Sequence, residues 1–189
     1  MINLAVFVSG SGTNLENIIR NFQDSAIARV SLVVSNREDA YALVRAEKYG
    51  VPSVVVSKQK FSDEEYILSL LQLYHTDWII LAGFLLKVPE YLIRQYPRHI
   101  INLHPALLPK YGGKGMYGHH VHEAVKAAGE KETGITIHYV NEKYDDGEII
   151  SQFSVALSEA DTVEDIEQKI HILEQTYFPD VIKKAIQVC

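Results

Sequence analysis

The residues best suited to chemistry are Asn102 and His104, which lie two positions apart in an otherwise apolar run. The run stops at Pro105, a residue that cannot continue a strand ladder. Residues two apart on a strand point to the same side, so the amide and the imidazole converge at a predicted strand end. Active sites of α/β sheets lie at such ends. An imidazole exchanges protons near neutral pH, and an amide N–H stabilises an oxygen that gains negative charge.

Asp145 is the carboxylate that could act on this imidazole. It lies in Tyr144–Ile150, which reads YDDGEII and follows a strand-like run. A carboxylate beside His104 would raise the imidazole pKa above its usual value of about 6.5 and keep the ring protonated as an acid. A structural histidine and amide beside an ordinary Asp-Gly turn would explain the same residues. The residues alone leave both interpretations open.

The segment Ser9–Leu15, SGSGTNL, is a candidate anion site between an apolar strand and a helix. Gly10 and Gly12 allow a close backbone approach, and the N-terminus of a helix attracts negative charge. A phosphate would fit here. The segment lacks the GK[ST] ending of a Walker loop, and Leu15 occupies the third glycine position of GxGxxG. A tight turn that begins a helix explains it equally well.

Other candidate centres receive little support. His119, His120 and His122 suggest a metal, but no cysteine accompanies them and no HExxH spacing is present, so we expect no metal. There is no GxSxG elbow for a serine nucleophile, and the only cysteine is the terminal Cys189. His138 lies in an alternating apolar run and is interpreted as a strand residue.

The elements that must position these residues alternate between strand and helix. The predicted strands of the first part are Ile2–Val8, Val30–Ser35, Val51–Val56 (at a sheet edge), Trp78–Leu81 and Ile100–His104. Four helices are predicted between these strands. The first begins near Asn14, and the second ends at about Tyr49–Gly50. The third runs from a capping box at Ser62–Glu65 to Tyr74, and the fourth covers Tyr91–Tyr96. This alternation is typical of a parallel sheet with helices on both faces.

The pattern changes after Gly113. A helix near His119–Ala128 precedes strand-like runs at Gly134–Val140 and Glu148–Val155, and a capping box at Thr162–Asp165 starts a long helix to about Tyr177, with Pro179 bending it. The predicted fold is therefore α/β and Rossmann-like: a mostly parallel twisted sheet with helices on both faces, a C-terminal antiparallel strand and a long helix. One domain is expected over residues 1–189.

Composition restricts the classes of partner. The formal net charge of −6 and the absence of a basic run argue against nucleic acid. The apolar runs are shorter than the roughly 20 residues of a membrane span, and the apolar start lacks a basic leader. A single cysteine among 189 residues fits a reducing compartment. We expect a cytoplasmic protein with small-molecule substrates and no membrane partner.

These segments together resemble the glycinamide ribonucleotide formyltransferase family of the folate-dependent formyltransferases. The resemblance covers nearly the whole chain, and it rests on GSGTNL at Gly10–Leu15, LAGFLLKV at Leu81–Val88, NLHPALLPKYGG at Asn102–Gly113, GITIHYVNEKYDDGEII at Gly134–Ile150, and Glu174 before Tyr177–Pro179. The pair Asn-x-His followed by Asp-x-Gly-x-Ile-Ile is specific for the superfamily.

The resemblance implies a transferase of purine biosynthesis. Formyl would pass from 10-formyltetrahydrofolate, a co-substrate, to the amine of 5′-phosphoribosylglycinamide, and the protein would be a monomer or homodimer that needs no metal. The first alternative is a 10-formyltetrahydrofolate hydrolase. Such hydrolases carry an additional N-terminal regulatory domain, whereas this chain begins at its first predicted strand. The second alternative is a non-catalytic nucleotide-binding module, which would not need a proton donor.

The resemblance also implies roles for individual residues. The catalytic residues would be Asn102 as oxyanion donor, His104 as general acid and Asp145, which sets the His104 pKa. The residues that bind phosphoribosylglycinamide would be Gly12, Thr13, Asn14, His171 and Glu174. The residues that surround the folate would be Leu85, Leu86, Lys87, Val88, Asn102, Asn141, Glu142, Lys143, Tyr144 and Asp145.

Overall fold

The computed structural model of the protein describes residues 1–188, so Cys189 lies outside the described residues. Its strands are β1 (Ile2–Val8), β2 (Ala28–Ser35), β3 (Ser53–Val55), β4 (Trp78–Leu81), β5 (Ile100–His104), β6 (Glu132–Tyr139) and β7 (Ile149–Ala156). Its helices are α1 (Thr13–Phe22), α2 (Tyr41–Lys48), α3 (Lys58–Phe61), α4 (Glu64–Leu73), α5 (Glu90–Gln95), α6 (His119–Ala127) and α7 (Val163–Val188).

The strands form a seven-stranded sheet in the order β3-β2-β1-β4-β5-β6-β7. The pairs β1–β2, β1–β4 and β2–β3 are parallel, whereas β6–β7 is antiparallel. The predicted α/β class, with a mostly parallel sheet, a C-terminal antiparallel strand and a long final helix, is confirmed. The chain divides into two compact units at Ile101/Asn102, and the single domain over residues 1–189 stays a prediction.

The first unit is organised around β1, whose residues from Leu4 to Val8 are all buried. A strand covered on both faces reads as a continuous apolar run, which is why the sequence located it correctly. Helix α1 buries Leu15, Ile18, Ile19 and Phe22, the stripe expected at helical spacing. Strand β3 is at the sheet edge, as the proline at position 52 predicted, and covers only three residues.

The capping box predicted at Ser62–Glu65 is wrong in its details. Asp63 is the N-cap of α4, and its side chain accepts the N–H of Tyr66 at 3.1 Å. Ser62 instead ends the short helix α3, which the sequence analysis missed and which begins at the Ser57 cap. Two capping residues stand side by side here, and the preceding helical turn determines which of them starts α4.

The second unit contains β6, β7, α6 and α7. The predicted capping box at Thr162–Asp165 is confirmed: Thr162 Oγ1 accepts the Asp165 N–H at 3.1 Å, and Asp165 Oδ2 accepts the Thr162 N–H at 2.8 Å. The predicted helix end near Tyr177 is wrong, because α7 continues through Pro179 to Val188. The helix buries a stripe on both sides of the proline, which offsets the lost backbone hydrogen bond; it includes Ile170, Phe178, Val181, Ile182 and Ile186.

Close pairing of β6 and β7 depends on Gly134. A Cβ at Gly134 would meet the carbonyl oxygen of Phe153 at 2.1 Å and the side chain of Leu107 at 2.6 Å. We predict that Gly134→Ala lowers the free energy of unfolding by about 1–3 kcal/mol, the usual range for overpacking. Urea denaturation measures it. Ser154→Ala is the matched control, since exposed Ser154 pairs with Gly134 across the ladder; equal stability of the two variants would contradict the prediction.

Candidate active site

His104 is held at the end of β5 with an oxygen near each ring nitrogen. Its Nε2 lies 2.8 Å from the carbonyl oxygen of Tyr111, and its Nδ1 lies 3.5 Å from Asp145 Oδ1. The residue is only 3% exposed. A neutral imidazole has one N–H and can donate to only one of these oxygens, whereas an imidazolium can donate toward both. The oxygens therefore favour the charged ring.

The loops that supply these oxygens have unusual backbone conformations. Tyr111 has a φ of 55° and Asp145 a φ of 49°, the left-handed region that residues other than glycine seldom adopt. The carboxylate of Asp145 is fixed at its second oxygen, where Oδ2 accepts the N–H of Gly113 at 2.9 Å. Such conformations cost about 1–3 kcal/mol each and cluster at functional sites. Both are used here to aim an acceptor at His104.

His138 belongs to the same cluster, a position that the sequence does not predict. It is a residue of β6, as predicted, and its Nε2 lies 3.1 Å from Asn102 Nδ2 and 3.7 Å from Asp145 Oδ1. Its Nδ1 lies 2.9 Å from the carbonyl oxygen of Tyr139. A neutral ring that donates from Nδ1 to this carbonyl has an Nε2 lone pair for the Asn102 amide. His138 therefore orients the Asn102 side chain.

A signal for His138 was present in the sequence. Thr136 and His138 lie two apart and alternate with buried Ile135 and Ile137, the same arrangement as that of Asn102 and His104. Thr136 is used structurally, since its hydroxyl donates to the Ala106 carbonyl at 2.7 Å. Only the fold distinguishes the polar strand residue that serves the site from the one that serves the backbone.

The pKa of His104 lies below its ordinary value. Burial lowers the pKa most, the Asp145 carboxylate and the Tyr111 carbonyl raise it, and the neighbouring His138 lowers it again. The prediction that Asp145 holds the His104 pKa above its ordinary value is therefore wrong, although Asp145 does act in the expected direction. Desolvation of a ring that is 3% exposed outweighs a carboxylate 3.5 Å away.

The pKa of Asp145 is lowered. Burial pushes this pKa upward, but the neighbouring His138 and His104 rings and the N–H of Gly113 together outweigh burial. At neutral pH the site therefore pairs an ionised carboxylate with a predominantly neutral imidazole. Negative charge that develops on a ligand here would favour protonation of His104.

The predicted phosphate residues lie at the start of α1. Gly12 is the N-cap residue with a φ of 76°, and it provides no side-chain cap for the helix. The backbone N–H groups of its first turn include those of Thr13 and Asn14, and such groups bind anions. This loop and the predicted folate segment Leu85–Val88 belong to the first unit. Leu85 is fixed there by its N–H, which donates to Ser9 Oγ at 2.9 Å.

The other predicted ligand residues belong to the second unit. His171 Nδ1 lies 3.3 Å from Glu174 Oε2, and this hydrogen bond raises the pKa of His171. Residues Asn141–Asp145 form a turn in which Asn141 accepts the Lys143 N–H at 2.9 Å. Buried His122, on α6, has an Nδ1 with no hydrogen-bond partner within residues 1–188, and burial lowers its pKa.

Within the described residues, the structure shows neither a metal-binding group of side chains nor a membrane-spanning helix. His119 lies 3.3 Å from Glu167 and 3.8 Å from Glu123, but no group of three or more His, Cys, Asp or Glu in residues 1–188 could hold a metal ion. None of the helices in this part of the chain combines the length and apolar character that a membrane crossing requires.

The class of protein follows from the family to which the chain is similar. Residues 2–182 match the Formyl transferase family, so the chain belongs to the formyltransferase class of proteins. Phosphoribosylglycinamide formyltransferase of Bacillus subtilis is 36% identical over 191 residues, which cover 98% of this chain and 95% of the relative. The chain belongs to the phosphoribosylglycinamide formyltransferase family within that class. The resemblance and the predicted enzyme class are confirmed.

Further relatives and solved structures agree. The chloroplastic phosphoribosylglycinamide formyltransferase of Arabidopsis thaliana is 37% identical over 95% of this chain, which spans only 63% of that relative. Glycinamide ribonucleotide transformylase 1 from Geobacillus kaustophilus superposes with a TM-score of 0.89 at 36% identity and covers 98% of this chain and 99% of its own. The corresponding protein from Symbiobacterium toebii gives a TM-score of 0.90 at 33% identity, with 99% and 88% covered.

We predict that Asp145→Asn lowers the pKa of His104 further, because the carboxylate is the main group that opposes the burial of its charge. NMR titration of the His104 ring measures it. In the wild type, stability due to neutral His104 is present above the unfolded pKa of about 6.5 and is lost as pH falls through the lower folded pKa. The control is Asp146→Asn, on an exposed carboxylate of the same loop. A rise of the His104 pKa in Asp145→Asn would contradict the assignment.

We predict that His138→Leu lowers turnover by about 5- to 150-fold, the effect of leaving a buried polar group unpaired. The amide of Asn102 loses the acceptor that orients it. His138→Gln, whose side-chain oxygen can accept the same N–H, should recover part of the rate. Turnover is measured with both substrates saturating; equal losses in the two variants would contradict the orienting role.

Proposed function

We propose that the protein transfers the formyl group of 10-formyltetrahydrofolate to the amine of 5′-phosphoribosylglycinamide in purine biosynthesis. The products are tetrahydrofolate and the N-formyl ribonucleotide. The observation that carries the proposal is the cluster of buried His104 with half-buried Asn102 and Asp145, in a chain whose relatives bear the name of this reaction. The reaction uses small molecules in the cytoplasm and needs no metal, and the protein acts as a monomer or homodimer.

The substrate supplies the nucleophile. Its amine nitrogen attacks the formyl carbon, a C–N bond forms and the carbonyl oxygen becomes an oxyanion. One Asn102 N–H is directed at His138, and the second N–H of the same amide stabilises this oxygen. When the folate C–N bond breaks, the leaving nitrogen takes a proton, and the amine that attacked loses one.

His104 moves the proton. Its Nε2 is occupied by the Tyr111 carbonyl, which leaves Nδ1 as the ring atom for transfer. The separation of 3.5 Å between Nδ1 and Asp145 Oδ1 is longer than an ordinary hydrogen bond, so this contact is the weaker of the two. The lowered pKa makes the imidazolium a stronger acid, and Asp145 stabilises it while the charge is present.

The remaining predicted residues hold the substrates in this proposal. The backbone at Gly12, Thr13 and Asn14 binds the phosphate, and the pair His171–Glu174 binds the ribose or glycinamide part. The segments that surround the folate, largely through backbone groups, are Leu85, Leu86, Lys87 and Val88 together with Asn141, Glu142, Lys143, Tyr144 and Asp145.

An assay of formyl consumption tests the reaction. The absorbance of 10-formyltetrahydrofolate is followed with and without phosphoribosylglycinamide. We expect consumption only when the ribonucleotide is present. Equal consumption in its absence would identify the hydrolase alternative, and none under either condition would identify a binding module; both results contradict the proposal.

We predict that Asn102→Ala and His104→Ala each lower turnover at least about 100-fold, as removal of an oxyanion donor or a general acid does. Thermal unfolding should show that both variants remain folded. Asn21→Ala and His120→Ala are the controls, since both side chains are exposed and lie outside the cluster. Near-normal turnover of either site variant with saturating substrates would remove that residue from the mechanism.

A further inference from the structure

Arg45, on α2, reaches the glycine-rich loop through the main chain. Its Nε donates to the carbonyl oxygen of Ser11 at 2.9 Å, and its guanidinium also pairs with the carboxylate of Glu16 in the first turn of α1. The guanidinium carbon lies 5.1 Å from the centre of the Tyr41 ring. The Arg45 side chain is 24% exposed and that of Glu16 is 16% exposed. Three neighbours therefore fix this guanidinium.

The start of α2 packs directly on the same loop. The N–H of Ala42 donates to the carbonyl oxygen of Gly10 at 3.1 Å. A Cβ at Gly12 would lie 2.6 Å from both Cα and Cβ of Ala42, and the φ of 76° at Gly12 is itself suited to glycine. Two consecutive carbonyls of the loop, those of Gly10 and Ser11, are thus tied to α2.

These ties determine where the loop N–H groups point. In a trans peptide the C=O and the N–H of one plane point in opposite directions. Because the Gly10 and Ser11 carbonyls are directed at α2, the N–H groups of Ser11 and Gly12 are directed away from it. The neighbouring N–H groups are those at the start of α1, whose N-cap residue Gly12 provides no side-chain cap. Successive N–H groups arranged in this way form an anion site.

Arg45 also compensates the negative charge of Glu16. An uncompensated carboxylate in the first turn of α1 would compete with a bound phosphate for the positive end of the helix. Arg45 compensates this charge, with help from Lys48 Nζ at 3.0 Å and Tyr49 Oη at 2.9 Å. Among these three groups, Arg45 is the one that also contacts the loop carbonyl.

We propose that Arg45 is a positioning residue for the phosphate of the ribonucleotide: it acts through the Ser11 carbonyl and Glu16 to hold the glycine-rich loop in its anion-binding conformation. The inference rests on the proposed function, which assigns the phosphate to this loop. A residue of this kind affects the binding of one substrate. It leaves the chemical step and the binding of the folate unchanged.

Arg45→Met tests this assignment, since it keeps the length of the side chain and removes its charge and its donors. We expect the KM for phosphoribosylglycinamide to rise about ten-fold, as loss of a charge-assisted hydrogen bond would cause. The KM for the folate, and kcat with both substrates saturating, should change less than about two-fold, because Arg45 affects only the binding of the ribonucleotide. Lys48→Met is the matched control: it removes a cation from Glu16 without touching the loop, and should leave the ribonucleotide KM close to that of the wild type.

Arg45→Lys and inorganic phosphate provide readouts that general destabilisation would not mimic. Lysine keeps the charge but replaces the planar guanidinium fork by a single ammonium group, so the ribonucleotide KM should be intermediate. Inorganic phosphate should inhibit competitively against the ribonucleotide, and more weakly in Arg45→Met. An unchanged ribonucleotide KM in Arg45→Met, a parallel rise of both KM values, or an equal effect of Lys48→Met would overturn the proposal.

Gly12→Ala separates this inference from the proposed function. Its Cβ would collide with Ala42, so the loop must shift whatever Arg45 does. If Gly12→Ala raises the ribonucleotide KM and Arg45→Met does not, only the role of Arg45 is wrong. If neither variant changes that KM or the inhibition by phosphate, the assignment of the phosphate to this loop fails, and the inference fails with it.

Discussion

The burial of the His104 imidazole is the constraint on which its surroundings in the second unit depend. His104 is almost inaccessible, and burial alone drives its pKa down. A carboxylate, a carbonyl and a second histidine are then placed around the ring, and they decide how far the pKa falls. The result is a histidine that is neutral at rest and acidic when charged. A transferase that moves a proton between two nitrogens can use both properties.

Satisfying that constraint determines much of the local backbone. The oxygen at Nε2 comes from Tyr111 and the oxygen at Nδ1 from Asp145, and both residues have left-handed φ values that regular structure would not supply. The adjoining strands β5 and β6 bring Asn102 and His138 within 3.1 Å. The strands fix the positions of the Asn102, His104 and His138 side chains relative to one another. The loops position the two oxygens that affect the pKa of His104.

Periodicity and residue type predicted the parts of this arrangement that depend on local sequence. The bounds of β1, β4 and β5 agree with the predicted strands because each is a short, mostly apolar run. The sign of the His104 pKa shift could not be predicted, since it depends on how completely distant segments exclude water. His138 could not be assigned to the site from its alternating pattern, because only the register of the fold shows that its Nε2 meets Asn102. Helix α7 continues past Pro179 because of tertiary packing, which outweighs a local signal.

In each unit, a side-chain N–H group fixes the direction of a loop carbonyl. The Ser11 carbonyl accepts from Arg45 in one unit, and the Tyr111 carbonyl faces His104 Nε2 in the other. A loop carbonyl outside a strand or helix has no ladder partner, so a single side-chain donor determines the direction of its peptide plane. The opposite edge of that plane then presents an N–H in a fixed direction. In the proposal for the glycine-rich loop this N–H binds the phosphate, so a cation one helix away determines anion affinity without touching the ligand.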